Sequence, residues 1–146
     1  MSDIAVDTSA IVEVMIKGPQ AEAVKQALQS ASGVYVSSVT RVETAMVMLG
    51  RMGWDRATFD RDWAILALQE LAVDSALSGQ AIEAFQRWGR GRAKAALNFG
   101  DCFSYALAVS RNIPLLFVGD DFSSTDVERA WSMMGSAGIS RTHRAL

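Results

Sequence analysis

Asp7 directly follows the apolar run 4–6, Glu43 lies among Val39, Met46 and Val47, and Asp101 shares a helical side with Tyr105, Ala108 and Val109. The pair Asp120 and Asp121 directly follows the apolar run 114–118. At about 100° per residue, Glu43 falls inside the apolar stripe of its segment, where a carboxylate is costly unless something pairs with it. Gathered in one place, these acids would repel and raise one another's pKa unless a cation intervened. The chemistry open to such a set is the binding of a hard divalent cation. Mg²⁺ takes oxygen ligands, keeps several waters and is commonly held by one or two carboxylates together with a substrate phosphate. A set without His or Cys points away from zinc.

Each acid also has a purely structural explanation. Asp7 could cap the helix that follows it, and Asp101 could cap its helix or sit in the first turn, where negative charge meets the positive end of the macrodipole. Glu43 could pair with Arg41 or a neighbouring Arg, and Asp120 with Asp121 could form an ordinary turn. Singly, none of them defines a site; the elements that carry them must bring them together.

Those elements alternate. Short β-rich runs at 4–6, 34–36, 70–73 and 114–118 are separated by helical patterns at 10–16, 20–29, 38–49, 55–68 and 75–88, with a further helix at 101–110. Asp7-Thr8-Ser9, Ser37-Ser38 and Asp55 supply helix-start signals, and Gly18-Pro19 and Gly33 supply breaks. In 75–88, Leu77, Ala81, Phe85 and Trp88 recur at offsets of four and three and share a face. This alternation is that of an α/β fold with a mostly parallel sheet covered on both sides. Ligands of such sheets bind outside the carboxyl ends of the strands, so Asp7 and Asp120-Asp121 stand where a site belongs.

Composition excludes other chemistries. With 146 residues, half of them apolar, a single domain over 1–146 is expected. The opening Met-Ser-Asp-Ile lacks the basic start of a signal peptide, and no apolar run approaches the roughly 20 residues of a membrane span, so a cytoplasmic protein is expected. Cys102 is the only cysteine, which rules out an internal disulfide and a Cys-based zinc site. His143 is the only histidine, which removes two-histidine ribonuclease chemistry and leaves a Ser-His-Asp triad dependent on the tail. The net charge of −2 offers no global attraction to nucleic acid, so RNA contact must be local. The segment RWGRGRAKA, with Arg87, Arg90, Arg92 and Lys94 around Trp88, suits phosphate contact and base stacking; its structural alternative is a solvated helix end. Arg141, His143 and Arg144 of the tail could assist.

The runs IAVDTSAIV, SSVTRVETAMVM, LNFGDCFSYALA and LLFVGDDFSSTDV resemble, in that order, the motifs of PIN-domain VapC toxins. The resemblance spans nearly the whole chain. It implies a PIN-like fold with a central, mostly parallel sheet of four to five strands flanked by helices, and a toxic endoribonuclease of a type II toxin–antitoxin system that uses Mg²⁺ or Mn²⁺. Carried over motif by motif, the family's acids are Asp7, Glu43, Asp101 and Asp121, with Asp120 as the alternative fourth and Asp126 a turn beyond. Metal would be held mainly by Asp7 and Asp101, while Glu43 and Asp121 orient water or hold a second ion; Thr8 or Ser9 would support the carboxylates. The resemblance also implies a VapB-like antitoxin whose peptide covers the cleft and inserts an Arg among the acids, a homodimer, and DNA contact only through the antitoxin. Met46, Met48 and Met52 could belong to such an interface or to the core.

Two other readings compete. A strand ending in Asp-Thr-Ser suggests a HAD-like phosphohydrolase, although Ser9 stands where that chemistry needs a second Asp. A PIN-like module that binds RNA or a partner without cutting is the alternative from another class.

Overall fold

The computed structural model describes residues 2–130; Arg141, His143 and Arg144 lie outside the described residues. Strand β1 (Ile4–Val6) leads through Asp7 into α1 (Thr8–Met15), then α2 (Ala21–Ser30), β2 (Val34–Ser37) and α3 (Ser38–Ala45). The helix does not continue to residue 49 in α form. From Met46 to Arg51 it widens to π-helical turns, with Met52 N–H donating to the Val47 carbonyl at 3.2 Å. The chain continues as α4 (Arg56–Ile65), β3 (Gln69–Leu71), α5 (Ser75–Trp88), α6 (Phe99–Ser110) and β4 (Leu115–Leu116).

The strands form one four-stranded sheet in the order β3-β2-β1-β4. Every pairing is parallel, with Ile4 opposite Val34, Ala5 opposite Leu115 and Val36 opposite Glu70. A single parallel bridge between Leu115 and Arg129 extends the sheet beyond β4, so the expected four to five strands resolve into four and one bridge. Because β1 pairs with β2 on one side and β4 on the other, the strand order reverses at β1. That reversal opens a crevice at the carboxyl ends of β1 and β4.

The period-2 alternation of the strands divides the core in two. Ile4, Val6, Val34, Val36 and Leu116 face a cluster with Ile11, Met48, Phe59 and Trp63. Ala5 and Leu115 face the opposite cluster, with Leu77, Ala81, Tyr105 and Ala108. On α5 the buried positions are Leu77, Ala81 and Ala84, and Phe85 rolls to the edge at 41% exposed. On α3 and its continuation the fully buried positions are Thr40, Thr44 and Met48, not the stripe Val39, Met46, Val47 read from the apolar pattern. Glu43 therefore flanks the buried face, half-buried, and Met46 points outward.

Three helix starts explain why the acids stand where they do. Asp7 caps α1, its carboxylate accepting the Ser9 N–H at 3.0 Å. Ser37 caps α3, accepting from Thr40 N–H at 3.1 Å. Helix α6 begins at Phe99 rather than Asp101 because Asn98 is its cap: Asn98 Oδ1 accepts the Asp101 N–H at 2.9 Å, and Asp101 Oδ2 accepts the Asn98 N–H at 3.1 Å. This reciprocal capping box holds the Asp101 carboxylate at the helix N-terminus.

Candidate active site

Asp7 and Asp101 are both buried, at 4% and 7% exposed, and both perform the capping work that was their structural alternative. Capping does not exhaust Asp7. Oδ2 also accepts the Ser9 hydroxyl at 2.8 Å, and Oδ1 accepts the Ser104 hydroxyl at 2.5 Å. Ser104 lies one helical turn beyond Asp101, so α6 contributes both an acid and a donor to the crevice. A line of buried hydroxyls continues behind it, Ser104 Oγ to Thr40 Oγ1 at 3.4 Å and on to Ser37 Oγ at 3.3 Å.

Glu43 does not pair with Arg41, which instead reaches Glu70 on β3 at 3.4 Å. Glu43 Oε1 accepts the Thr8 hydroxyl at 2.5 Å. Its carboxylate lies so close to α6 that a Cβ built on Gly100 would collide with it, so glycine is what allows α3 to present its acid to the first turn of α6. Ser9 binds the last strand into the same corner: its hydroxyl accepts the Val118 N–H at 3.0 Å.

The segment after β4 is anchored by Phe122, 2% exposed and 5.1 Å from the Phe117 ring. Its three aspartates have different neighbours. The charge of Asp121 acts on Asp101, whereas that of Asp120 acts on Arg129. The Arg129 guanidinium lies 4.2 Å over the Phe117 ring and donates to the Phe117 carbonyl at 3.3 Å. Asp126 faces away from the other acids in its bonding: it accepts the Tyr105 hydroxyl and sits 3.3 Å from Arg87.

Burial raises the pKa of Asp7, opposed by the donors Ser104 and Ser9. Burial likewise raises Glu43, with the charge of Asp7 adding to it and Thr8 opposing. Asp101 is pushed up to about 7, first by burial and then by the charges of Asp7, Asp121 and Glu43. Among the described residues no three acid, His or Cys side chains are already drawn into a closed metal cluster. The four acids are each tied to protein donors or solvent, yet near enough for three of the charges to converge on Asp101. Sequence reading missed Ser104 and Gly100. Their only signal is position, beside Asp101 and one turn beyond it.

The basic stretch forms a tight excursion between α5 and α6, closed by Arg90 N–H to the Leu97 carbonyl at 3.0 Å and Leu97 N–H to the Trp88 carbonyl at 2.9 Å. Arg90 and Lys94 are exposed, and Arg92 lies 5.6 Å over the Phe85 ring. Trp88 is half-buried, donates its ring N–H to Tyr105 at 3.0 Å and carries Arg87 on its face at 4.9 Å. It is thus a packing residue, not the open stacking platform that its place in RWGRGRAKA suggests.

A parallel sheet whose central strand delivers a buried Asp into a helix cap, opposite a second Asp in the capping box of the helix before the last strand, defines the class. The PIN domain family matches residues 4–128, and the chain belongs to that family. Within it the chain stands among the VapC ribonucleases. It is 39% identical over 125 residues to Ribonuclease VapC of Mycolicibacterium smegmatis, across 85% of this chain and 97% of that one. To Ribonuclease VapC36 of Mycobacterium tuberculosis it is 40% identical over 126 residues, across 84% and 90%. Among solved structures, the sarcin-ricin loop cleaving toxin VapC20 of Mycobacterium tuberculosis superposes with a TM-score of 0.69 at 22% identity, covering 88% of this chain and 98% of that one. VapBC2 of Rickettsia felis, bound to a promoter DNA fragment, gives 0.65 at 12% identity, covering 89% and 99%. At those identities the structures speak for the fold. Family membership overturns the HAD-like reading, which a strand ending in Asp-Thr-Ser had suggested.

Proposed function

We propose that this chain is the toxin of a VapBC-type pair, an endoribonuclease that hydrolyses RNA with a divalent cation held by Asp7 and Asp101 and assisted by Glu43 and Asp121. The observation that carries this reading is that the helix of the buried Asp101 binds Asp7 through Ser104 at 2.5 Å and receives the Glu43 carboxylate against Gly100, so three acids meet at one helix start. Carboxylates in that relation favour a bound cation, and an oxygen-only donor set suits Mg²⁺ or Mn²⁺. Such a cation supplies neutralisation of the phosphodiester and a lowered pKa for an attacking water.

The protein's own groups do the rest. Ser9 and Ser104 fix the two oxygens of Asp7, and the Asn98 backbone fixes Oδ2 of Asp101, so both carboxylates are oriented before substrate arrives. Glu43, with Oε1 held by Thr8, takes the proton of the attacking water as its oxygen bonds to phosphorus, and the P–O bond to the departing nucleotide breaks with that oxygen taking a proton from solvent. Asp121, exposed at the mouth of the crevice, orients that water from the other side. Arg90, Arg92 and Lys94 hold the RNA backbone, with Arg87 shared between RNA and Asp126.

Relatives carry the VapC name, and VapBC2 of Rickettsia felis is a complex, which supports a VapB-like antitoxin as partner. Its peptide covers the crevice and places an Arg among the acids, operator DNA is contacted only through it, and the toxin itself is a homodimer. Exposed Met46 and Met52 are available to such interfaces, whereas Met48, fully buried, belongs to the core. No helix among the described residues is long and apolar enough to cross a membrane. With RNA as substrate, the site of action is the cytoplasm.

The test is cleavage of structured RNA in Mg²⁺ or Mn²⁺. Activity is expected to vanish in EDTA and to fall by about 100-fold or more in Asp7→Asn and Asp101→Asn, with the fold retained by circular dichroism. Undiminished cleavage in both variants refutes the assignment, and RNA binding without turnover under either metal supports the non-catalytic module instead.

A further inference from the structure

On the far side of the first turn of α6 from the acids, an apolar groove of about 580 Å³ runs between α5 and α6. Ile82, Phe85, Leu97, Phe99 and Phe103 line it together with Arg90. Its most exposed member is Phe99, at 74%, whose ring packs 5.1 Å from Phe103 and leaves its outer face open. Ile82 at 63% and Phe85 at 41% continue the patch. Large apolar side chains left open side by side mark a binding surface.

We propose that this groove is a nucleobase subsite, in which Phe99 stacks an unpaired base of the RNA adjoining the scissile phosphate. The proposal rests on the ribonuclease reading and names a specificity-determining residue for it. Three observations select a nucleotide as the occupant. Phe99 opens α6 and Asp101 lies in its first turn, so an RNA strand passing over the N-terminal end of that helix meets the ring on one side and the acids on the other. Arg90 lines the groove and the Arg92 guanidinium lies 5.6 Å over the ring of Phe85, one of its walls, so two cations stand beside it in a chain whose net charge is −2. The floor is apolar and aromatic, which suits a base whose phosphates lie outward on guanidinium groups. Gly100 completes the arrangement: α3 closes on its missing side chain, which turns Glu43 inward while Phe99 on the opposite side is left to solvent.

The experiment uses a single-stranded decaribonucleotide carrying 2-aminopurine, whose fluorescence is quenched when the base stacks, titrated with the full-length protein in EDTA so that nothing is cut. Quenching is expected with the unsubstituted protein, binding about tenfold weaker and quenching lost with Phe99→Ala, and both restored by Phe99→Tyr. In Mn²⁺, Phe99→Ala is expected to keep cutting RNA but with an altered or relaxed sequence preference. Unchanged quenching and an unchanged cleavage pattern in Phe99→Ala overturn the subsite while leaving the ribonuclease reading intact. Quenching that depends on Phe99 in a protein that cuts no RNA has the opposite meaning: the subsite stands and the enzyme reading fails. Loss of antitoxin inhibition in Phe99→Ala, with stacking and cleavage pattern unaltered, assigns the groove to the protein partner and overturns the proposal.

Discussion

The hydroxyl of Ser104 donates to Oδ1 of Asp7 at 2.5 Å, across 97 residues of sequence and wholly within the core. It joins the helix that carries Asp101 to the strand end that carries Asp7, and it is one of the donors that hold down the pKa of Asp7 against burial.

Removing that donor gives a directional test. In Ser104→Ala the Asp7 pKa rises further, so the acid limb of the pH–rate profile moves to higher pH. Metal affinity measured by Mn²⁺ titration is expected to weaken by about 10–100-fold, the usual effect of losing a group that orients a ligand. An unmoved limb with unchanged Mn²⁺ affinity means that Ser104 only packs.

A raised carboxyl pKa has a fixed sign in stability. Asp101, pushed up to about 7, binds its proton more tightly folded than unfolded, so the metal-free protein loses stability as pH rises from about 4 to about 7. Asp7 and Glu43, also raised, act in the same direction. Melting in EDTA is therefore expected to be lower at pH 8 than at pH 5, and Asp101→Asn, which keeps the capping acceptor, is expected to melt higher than the parent at pH 8. Mg²⁺ or Mn²⁺ should raise the melting temperature at pH 8 and do little at pH 5. A melting temperature that climbs between pH 5 and pH 8 in EDTA contradicts the assignment of the raised groups.

Gly100→Ala separates helix propensity from site geometry. Propensity alone favours Ala in a helix by about 1 kcal/mol. The collision with the Glu43 carboxylate predicts the reverse, a less stable protein with activity reduced at least tenfold, read by thermal denaturation and RNA cleavage. A more stable, fully active Gly100→Ala protein would place Glu43 elsewhere.

The basic excursion is tested by salt. If Arg90, Arg92 and Lys94 each contact a phosphate of single-stranded RNA, their combined replacement by Ala reduces the slope of log affinity against log salt by about 2. The melting temperature should hardly change, because Arg90 and Lys94 are exposed. An unaltered slope places the RNA on another face.

The amino-acid sequence by itself determined the α/β alternation, because strand and helix periods and their capping residues are local properties of the chain. The helix caps at Asp7 and Asp55 and the acids worth inspecting were legible for the same reason. Helix α6 starts two residues earlier than its first acid suggested, since Asn98 competes successfully for the capping position. What only the tertiary structure decided is which side chains meet. The stripe containing Glu43 looked apolar, but the face that is buried is Thr40, Thr44 and Met48, because hydroxyls that bond within the helix or to Ser104 can be buried as readily as methyls. Trp88 looked like the base-stacking residue, yet packing against Tyr105 withdraws it and leaves Phe99 open. The sequence favoured Asp121 over Asp120 and Asp126 only by its motif; the burial of Phe122 and the bond from Tyr105 give the three different neighbours. Contacts between residues dozens of positions apart depend on how a closed core packs, and no local pattern encodes that.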